Sequence, residues 1–309
     1  MYKVLVIGGS YFIGRVFNIL ASRAGNYDIR VINRGRYTLN LANVVEMHFD
    51  RHNTAMIRGI VPDDNYDAIV DFCAYEPGDI YNFVGSMLNK PSQYIYISTA
   101  SVYDPYAPAP VNEDSPVATR FGTDENSVYV EKKLKLEEEL KYTCEHTVWR
   151  NMRNMAYTIL RPTFVYGPFN YAPREPMYFQ NIINGTPIPH PTDAAAKFQF
   201  VYVKDIARMI IAAIGNEKAY NQIFNLAAPD ELDYNGFLAE LEKANGGKVD
   251  IVPMTCAEIA QQQIPLPFPM QHDELYDGSK IVDTLGVGYT PFTDAFKETY
   301  DIFMKAMRG

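Results

Sequence analysis

The chain has 309 residues, 47% of them hydrophobic, and a formal net charge of −9. That length holds one large domain or two ordinary ones around a substantial core. The acidic balance argues against a polyanion partner, because nucleic-acid binding normally needs a basic face.

The first strand and the turn after it organise the chain. Residues 3–7 read Lys-Val-Leu-Val-Ile, an apolar run that fits a strand buried on both faces of a parallel sheet. Gly8-Gly9-Ser10-Tyr11-Phe12-Ile13-Gly14 follows, then apolar residues at helical spacing through Val16, Ile19 and Leu20. Strand, glycine turn and helix point backbone N–H groups and a helix N-terminus at one spot, where a pyrophosphate can bind. Gly8 permits the sharp exit from the strand, and Gly14 lets the helix lie close to the sheet. The middle glycine of the dinucleotide fingerprint is replaced by Tyr11, whose side chain has to turn away from the phosphates or cover them.

Further strands are predicted over 28–33, 44–49, 67–72, 93–98 and 157–160, with helical stretches between them, notably 79–88. Alternating strands and helices predict an α/β Rossmann-type fold, a doubly wound parallel sheet. The long loop 99–127 contains Pro105, Pro108, Pro110 and Pro116, and loops of that length are usually functional. A helix rich in Glu, Lys and Leu is predicted over 128–142, with Glu131 and Lys135 in the favourable order for pairing. Its Glu137-Glu138-Glu139 run reads as a solvated face rather than a metal site.

The pattern loosens beyond residue 168. Strands are predicted over 198–203 and 223–227, and helices over 205–214, 234–244 and 294–307, with Ser279 capping a short helix that ends at Leu285-Gly286. The division expected is a dinucleotide-binding domain over 1–168, onto which segments near 198–228 pack back, and a smaller substrate lobe over 169–309. Cys73, Cys144 and Cys256 are scattered, which predicts buried reduced thiols and neither a disulfide framework nor a zinc site. The longest apolar run, 209–214, is too short for a bilayer, and a strand beginning at residue 3 leaves no room for a signal peptide. A cytoplasmic protein without a membrane partner is the expectation.

Tyr129 and Lys133 stand four apart and therefore on one helix face. A phenol with a pKa of about 10 is a poor base at neutral pH. A nearby ammonium, and the positive ring of an oxidised nicotinamide, favour the phenolate. The tyrosine can then take a proton from a substrate hydroxyl while hydride leaves the same carbon. Thr99, at the end of the predicted fifth strand, is placed to orient that substrate oxygen. The same spacing recurs at Tyr276 and Lys280, which lie just before a capped helix and read as structural.

Six landmarks in order carry a resemblance. They are Gly8-Gly9 through Gly14, Ile97-Ser98-Thr99, Tyr129 with Lys133, the stretch 160–168, Phe200-Val201-Tyr202-Val203-Lys204-Asp205, and Asp277-Gly278-Ser279-Lys280. Over nearly its whole length the chain resembles the extended short-chain dehydrogenase/reductase superfamily, which includes NAD-dependent epimerases and dehydratases. The glycine turn and Asn33-Arg34-Gly35 look like its atypical branch, which includes the chloroplast stem-loop-binding proteins.

The resemblance implies a triad of Thr99, Tyr129 and Lys133. It also implies a cofactor, NAD or NADP, held by Gly8, Ser10, Tyr11, Phe12, Ile13, Asn33, Arg34, Asp50, Arg51, Phe72, Cys73, Ala74, Lys133 and Pro162, with Asp50 at the adenine. No acid ends the second strand, and Asn33 with Arg34 there favours NADP. A homodimer through the Tyr129 helix is a family habit and an expectation here. Ala100 and Ser101 replace the acids that family 4,6-dehydratases carry.

Family members that bind UDP- or dTDP-sugars grip the diphosphate with arginines. Here the matching places hold Phe198 and the uncharged stretch 264–269, and a substrate-touching asparagine is replaced by Phe164. The sequence thus supports an oxidoreductase or epimerase-like enzyme for a small substrate other than an ordinary UDP- or dTDP-sugar. Its rival is a binding protein, for RNA or a protein partner, that keeps the fold.

Overall fold

The computed structural model describes residues 1–61, 65–146 and 154–308. The chain begins with β1 (Tyr2–Ile7), α1 (Phe12–Ala24), β2 (Tyr27–Asn33), β3 (Val44–His48), α2 (Thr54–Ile60), β4 (Ala68–Asp71), α3 (Asp79–Ser86), β5 (Gln93–Ile97), α4 (Glu125–His146) and β6 (Ala156–Pro162). Then come β7 (Phe164–Tyr166), α5 (Glu175–Asn184), β8 (Ile188–Pro191), β9 (Phe198–Tyr202), α6 (Val203–Ala213), β10 (Gln222–Leu226) and β11 (Glu231–Leu232). It closes with α7 (Tyr234–Asn245), β12 (Ile251–Met254), α8 (Cys256–Gln261), α9 (Ser279–Leu285) and α10 (Phe292–Arg308).

Seven strands form one parallel sheet in the order β10-β6-β5-β4-β1-β2-β3. This is the doubly wound fold expected from the alternation of strands and helices. The pleat of β1 divides its buried side chains between two cores. Val4 and Val6 pack with Val16 and Phe17 of α1 and with α6, while Leu5 and Ile7 pack with Phe83 of α3 and Leu136 of α4. Register places Ile7 of β1 beside Ile32 of β2 and Asp71 of β4. The glycine turn, Asn33 and Phe72 therefore leave the sheet side by side at one edge, the edge at which open α/β folds bind ligands.

The last strand of the sheet, β10, comes from the second half of the chain. The remaining strands make a small sheet, β11-β9-β7, and a parallel ribbon of β8 with β12.

Three local expectations need correction. The glutamate run of α4 is not a solvated face. Glu137 is 1% exposed and pairs with Arg161 at 3.0 and 2.6 Å, and Glu139 accepts from the amides of Gly78, Ile80 and Tyr81 at 2.5, 2.9 and 2.7 Å. Only Glu138 of the three is exposed. A carboxylate at a helix N-terminus satisfies amides that have no partner within the helix, which draws Glu139 to the start of α3. Ser279 does not cap α9: it is the first helical residue, the N-cap position is Gly278 without a side-chain cap, and Asp277 before it accepts from the Ser279 amide at 2.9 Å. The three cysteines are free, as expected, but partly exposed rather than buried. Glu131 and Lys135 pair at 2.7 Å as their spacing predicts.

Candidate active site

A cavity of about 700 Å³ opens at the C-terminal edge of the sheet, within the range of cofactor sites. Its floor is the glycine turn. Gly8 has φ +83°, and a Cβ there would lie 3.0 Å from the Cys73 sulfur. A Cβ on Gly14 would lie 2.3 Å from the Gly9 Cα, so Gly14 lets α1 lie against the turn itself. Asn18, fully buried, locks this contact by donating to the Gly9 and Gly14 carbonyls, both at 2.9 Å. A polar side chain in a helix interior was the one sequence signal for that role.

No side chain caps α1, so its first amides remain available to an anion. Phe12, at φ +36°, holds a strained backbone at the start of this helix. Tyr11 turns away from the turn and joins an aromatic cover, with ring centroids 5.0 Å from Tyr37 and 4.8 Å from Tyr171. These features fit a dinucleotide pyrophosphate.

Of the expected cofactor residues, Gly8, Ser10, Tyr11, Phe12, Ile13, Asn33, Arg34, Asp50, Arg51, Phe72 and Cys73 line the cavity. Several are already committed to protein partners. The Asn33 amide donates to Glu46 at 2.8 Å, and its oxygen faces the Gly35 amide and His48 Nδ1, each at 2.8 Å. A direct ribose bond from Asn33 is thus displaced by Glu46, an acid from the neighbouring strand. Arg51 is 9% exposed and meets both oxygens of Asp71, at 3.0 and 2.8 Å, and the Asp79 carbonyl at 2.7 Å. It props the cavity wall rather than offering a free guanidinium. Asp50 accepts from the His52 amide and faces His52 Nδ1 at 2.6 Å, while His52 Nε2 reaches Asp79 at 2.7 Å. Burial pushes the Cys73 thiol up to about 12. By contrast Arg34 and Arg36 line the cavity without an ion pair among the described residues.

Ala74, Thr99, Tyr129, Lys133 and Pro162 lie outside those walls. Tyr129 and Lys133 share one face of α4, with the ammonium 5.7 Å from the Tyr129 ring centroid. Lys133 is 3% exposed and donates to the carbonyls of Ile97 at 2.9 Å and Ala74 at 3.3 Å. Those carbonyls fix the ammonium between the ends of β4 and β5. Burial pulls its pKa down to about 8.

Thr99 accepts from the Ser101 amide at 3.2 Å, capping a short turn. Burial raises the Tyr129 phenol above its ordinary value, and the nearby Arg174 guanidinium and Thr99 hydroxyl pull the other way. In the protein alone Tyr129 is therefore a neutral phenol; the phenolate expected from the sequence rests on the ammonium together with an oxidised nicotinamide. The other tyrosine–lysine spacing is structural. Tyr276 forms an isolated bridge with Val111, and Lys280 donates to the Ile223 carbonyl at 3.0 Å.

Residues 4–227 match the model of the NAD dependent epimerase/dehydratase family. The chain belongs to that family. It is 27% identical over 258 residues to the chloroplast stem-loop binding protein of 41 kDa b from Arabidopsis thaliana. That match covers 79% of this chain, which spans 63% of the length of that relative. Among solved structures, UDP-glucose 4-epimerase from Thermotoga maritima, determined with UDP-glucose, has a TM-score of 0.79, 18% identity and 99% coverage of both chains. UDP-glucuronic acid 4-epimerase from Bacillus cereus, in complex with NAD, has a TM-score of 0.76 and 18% identity, covering 98% of this chain and 99% of its own. These likenesses show the fold.

Within this epimerase/dehydratase chain, the region expected to take the substrate is packed with rings. Phe198 is fully buried and stacks on Phe268 at 4.8 Å. Phe164 lies 6.5 Å from Phe198 and 5.6 Å from Phe268. Gln199 donates to the Ala228 carbonyl at 2.9 Å and accepts from the Tyr276 amide at 2.6 Å. Phe198 is thus a core residue. Lys197 pairs with Glu231 at 3.0 Å, and His190 reaches Asn235 at 3.0 Å, so both are committed locally. Arg174 instead lies over the Phe164 ring at 5.3 Å, and its electrostatic neighbours include Tyr129 and Tyr171. Among the described residues no helix is long and apolar enough to cross a membrane, and no cluster of metal-binding side chains occurs.

Proposed function

We propose that this protein is an NAD(P)-dependent oxidoreductase or epimerase-like enzyme acting on a hydroxyl or keto group of a small substrate, with Tyr129 moving the proton. The observation that carries this reading is the placement of Lys133 and Tyr129 on one face of α4, with the ammonium 5.7 Å from the phenol ring centroid. When bound, the nicotinamide supplies the hydride acceptor and, oxidised, the positive charge that lowers a neighbouring phenol's pKa.

The glycine turn and α1 would hold the pyrophosphate, and the residues from Arg34 to Asp50 the adenosine end. Lys133, tied to two carbonyls, holds its charge in a fixed place beside Tyr129. As a neutral phenol Tyr129 is ready to donate a proton to a carbonyl, and Thr99 orients the oxygen that receives it.

NADP is the favoured cofactor, supported by Arg34 and Arg36, which line the cavity and have no ion pair among the described residues. An ordinary UDP- or dTDP-sugar is not the substrate in this reading, supported by the rings of Phe164, Phe198 and Phe268. The second reading is a binding protein; it draws on the name of the Arabidopsis relative, and the net charge of −9 weighs against an RNA partner.

The test is Tyr129→Phe, assayed for NAD(P) reduction against a panel of small hydroxy compounds. Turnover should fall by about 10²–10⁴-fold while dinucleotide affinity stays within twofold. Full activity in that variant would remove Tyr129 from the chemistry.

A further inference from the structure

The loop between β7 and α5 reaches both sides of the site. Tyr171 in this loop lines the nucleotide cavity and packs on Tyr11. Three residues later Arg174 lies over Phe164, the outermost ring of the aromatic core, at 5.3 Å. The loop is pinned from beneath by buried Glu175, which accepts from the Asn170 amide at 2.8 Å and the Gly167 amide at 3.0 Å.

Arg174 has little to satisfy it. Its side chain makes one hydrogen bond, to the Val165 carbonyl at 3.3 Å, and no ion pair among the described residues. A guanidinium carries five donors, so most are left for solvent or a ligand. The neighbouring acids do not neutralise it by contact. Glu175 spends its oxygens on the loop, and burial raises both its carboxyl and that of Glu274. Two more deeply buried arginines of this edge differ: Arg51 and Arg161 are each locked on a carboxylate.

We propose that Arg174 is the anion-binding residue of the substrate site, and that the substrate is a small hydroxy or keto compound bearing a carboxylate or a phosphate monoester. A guanidinium fork matches the paired oxygens of either group, and both stay charged at neutral pH. Phe164 supplies an apolar floor that holds the fork flat. The anion sits on Arg174 while the oxygen to be reduced or oxidised meets Tyr129 and Thr99. The orientation rests on the proposed role of Tyr129; the anion site itself does not.

Calorimetry on the protein saturated with NADP, which fills the pyrophosphate site, tests this with inorganic phosphate and malonate as probes. Wild type should bind at least one of them, and Arg174→Met should weaken that binding at least tenfold. Loss confined to phosphate assigns a phosphate monoester, and loss confined to malonate a carboxylate. Arg174→Lys, which keeps the charge without the fork, should weaken binding at least threefold; it decides the matter if Arg174→Met does not fold. Absence of binding to wild type, or wild-type affinity in the folded variants, would overturn the proposal. Because binding is read without turnover, the result is independent of the Tyr129→Phe assay.

Discussion

The nucleotide edge and the C-terminal lobe solve opposite problems with the same sheet. At the nucleotide edge, polar side chains are spent on one another so that space and backbone amides stay open. Asn18 holds the glycine turn, Asn33 is held by Glu46, and Arg51 is held by Asp71. In the lobe the equivalent space is filled, with Phe164, Phe198, Phe200 and Phe268 in mutual contact. A cofactor site is preserved by keeping atoms out, and a substrate site is lost or remade by packing atoms in. A polar feature that survives on that side is Arg174, which has no ion pair among the described residues.

The comparison breaks if the filled lobe can accept what an open one would. Phe198→Ala should cost about 3–5 kcal/mol in denaturant unfolding, as a large ring leaving a packed core does. Phe198→Arg, which places an arginine where sugar-nucleotide enzymes of the family have one, should cost more, because it buries a charge without a partner. It should also bring no UDP-glucose binding. Tolerance of the arginine together with new UDP-glucose affinity would show that this region is a pocket after all.

The seam between the two regions makes the second test. Burial raises the Glu175 carboxyl to about 7, above its ordinary value of 4.5. The folded protein therefore binds this proton more tightly than the unfolded chain. Its contribution is most favourable below pH 4.5 and is lost as pH rises through about 7. Between pH 5 and 8, Glu175→Gln should gain on the order of 1–3 kcal/mol relative to wild type. A difference that stays constant with pH would show that the carboxylate is charged throughout.

The smallest effect sharpens the open side. Arg34→Ala should weaken NADP about tenfold, the equivalent of one charge-assisted bond, and leave NAD nearly unchanged. Tenfold tighter binding of NAD than NADP to wild type would reverse the preference inferred from Arg34 and Arg36.

Much of the architecture was legible in the sequence because each buried strand is a short apolar run between glycine and polar signals. The glycine turn and the Tyr129–Lys133 spacing are local, and local periodicity was enough to find them. What escaped was non-local. Asn33 reads as a ribose contact until β3 brings Glu46 beside it. Glu137 and Glu139 read as solvated until Arg161 and the start of α3 are placed against them. Phe198 reads as the lining of a pocket until Phe268, seventy residues later, stacks on it. Helix α5 also escaped, since it lies where the pattern loosens beyond residue 168.

Glu139 gives the framework an unplanned joint. One carboxylate of α4 holds the amides of Gly78, Ile80 and Tyr81, at the start of the helix whose Asp79 supports Arg51 and His52. The same α4 carries Tyr129 and Lys133. The wall of the nucleotide cavity and the proposed proton-transfer pair thus hang from a single beam, α4. In hydrogen exchange those three amides would open together with α4, as one cooperative unit rather than as the frayed end of a short helix.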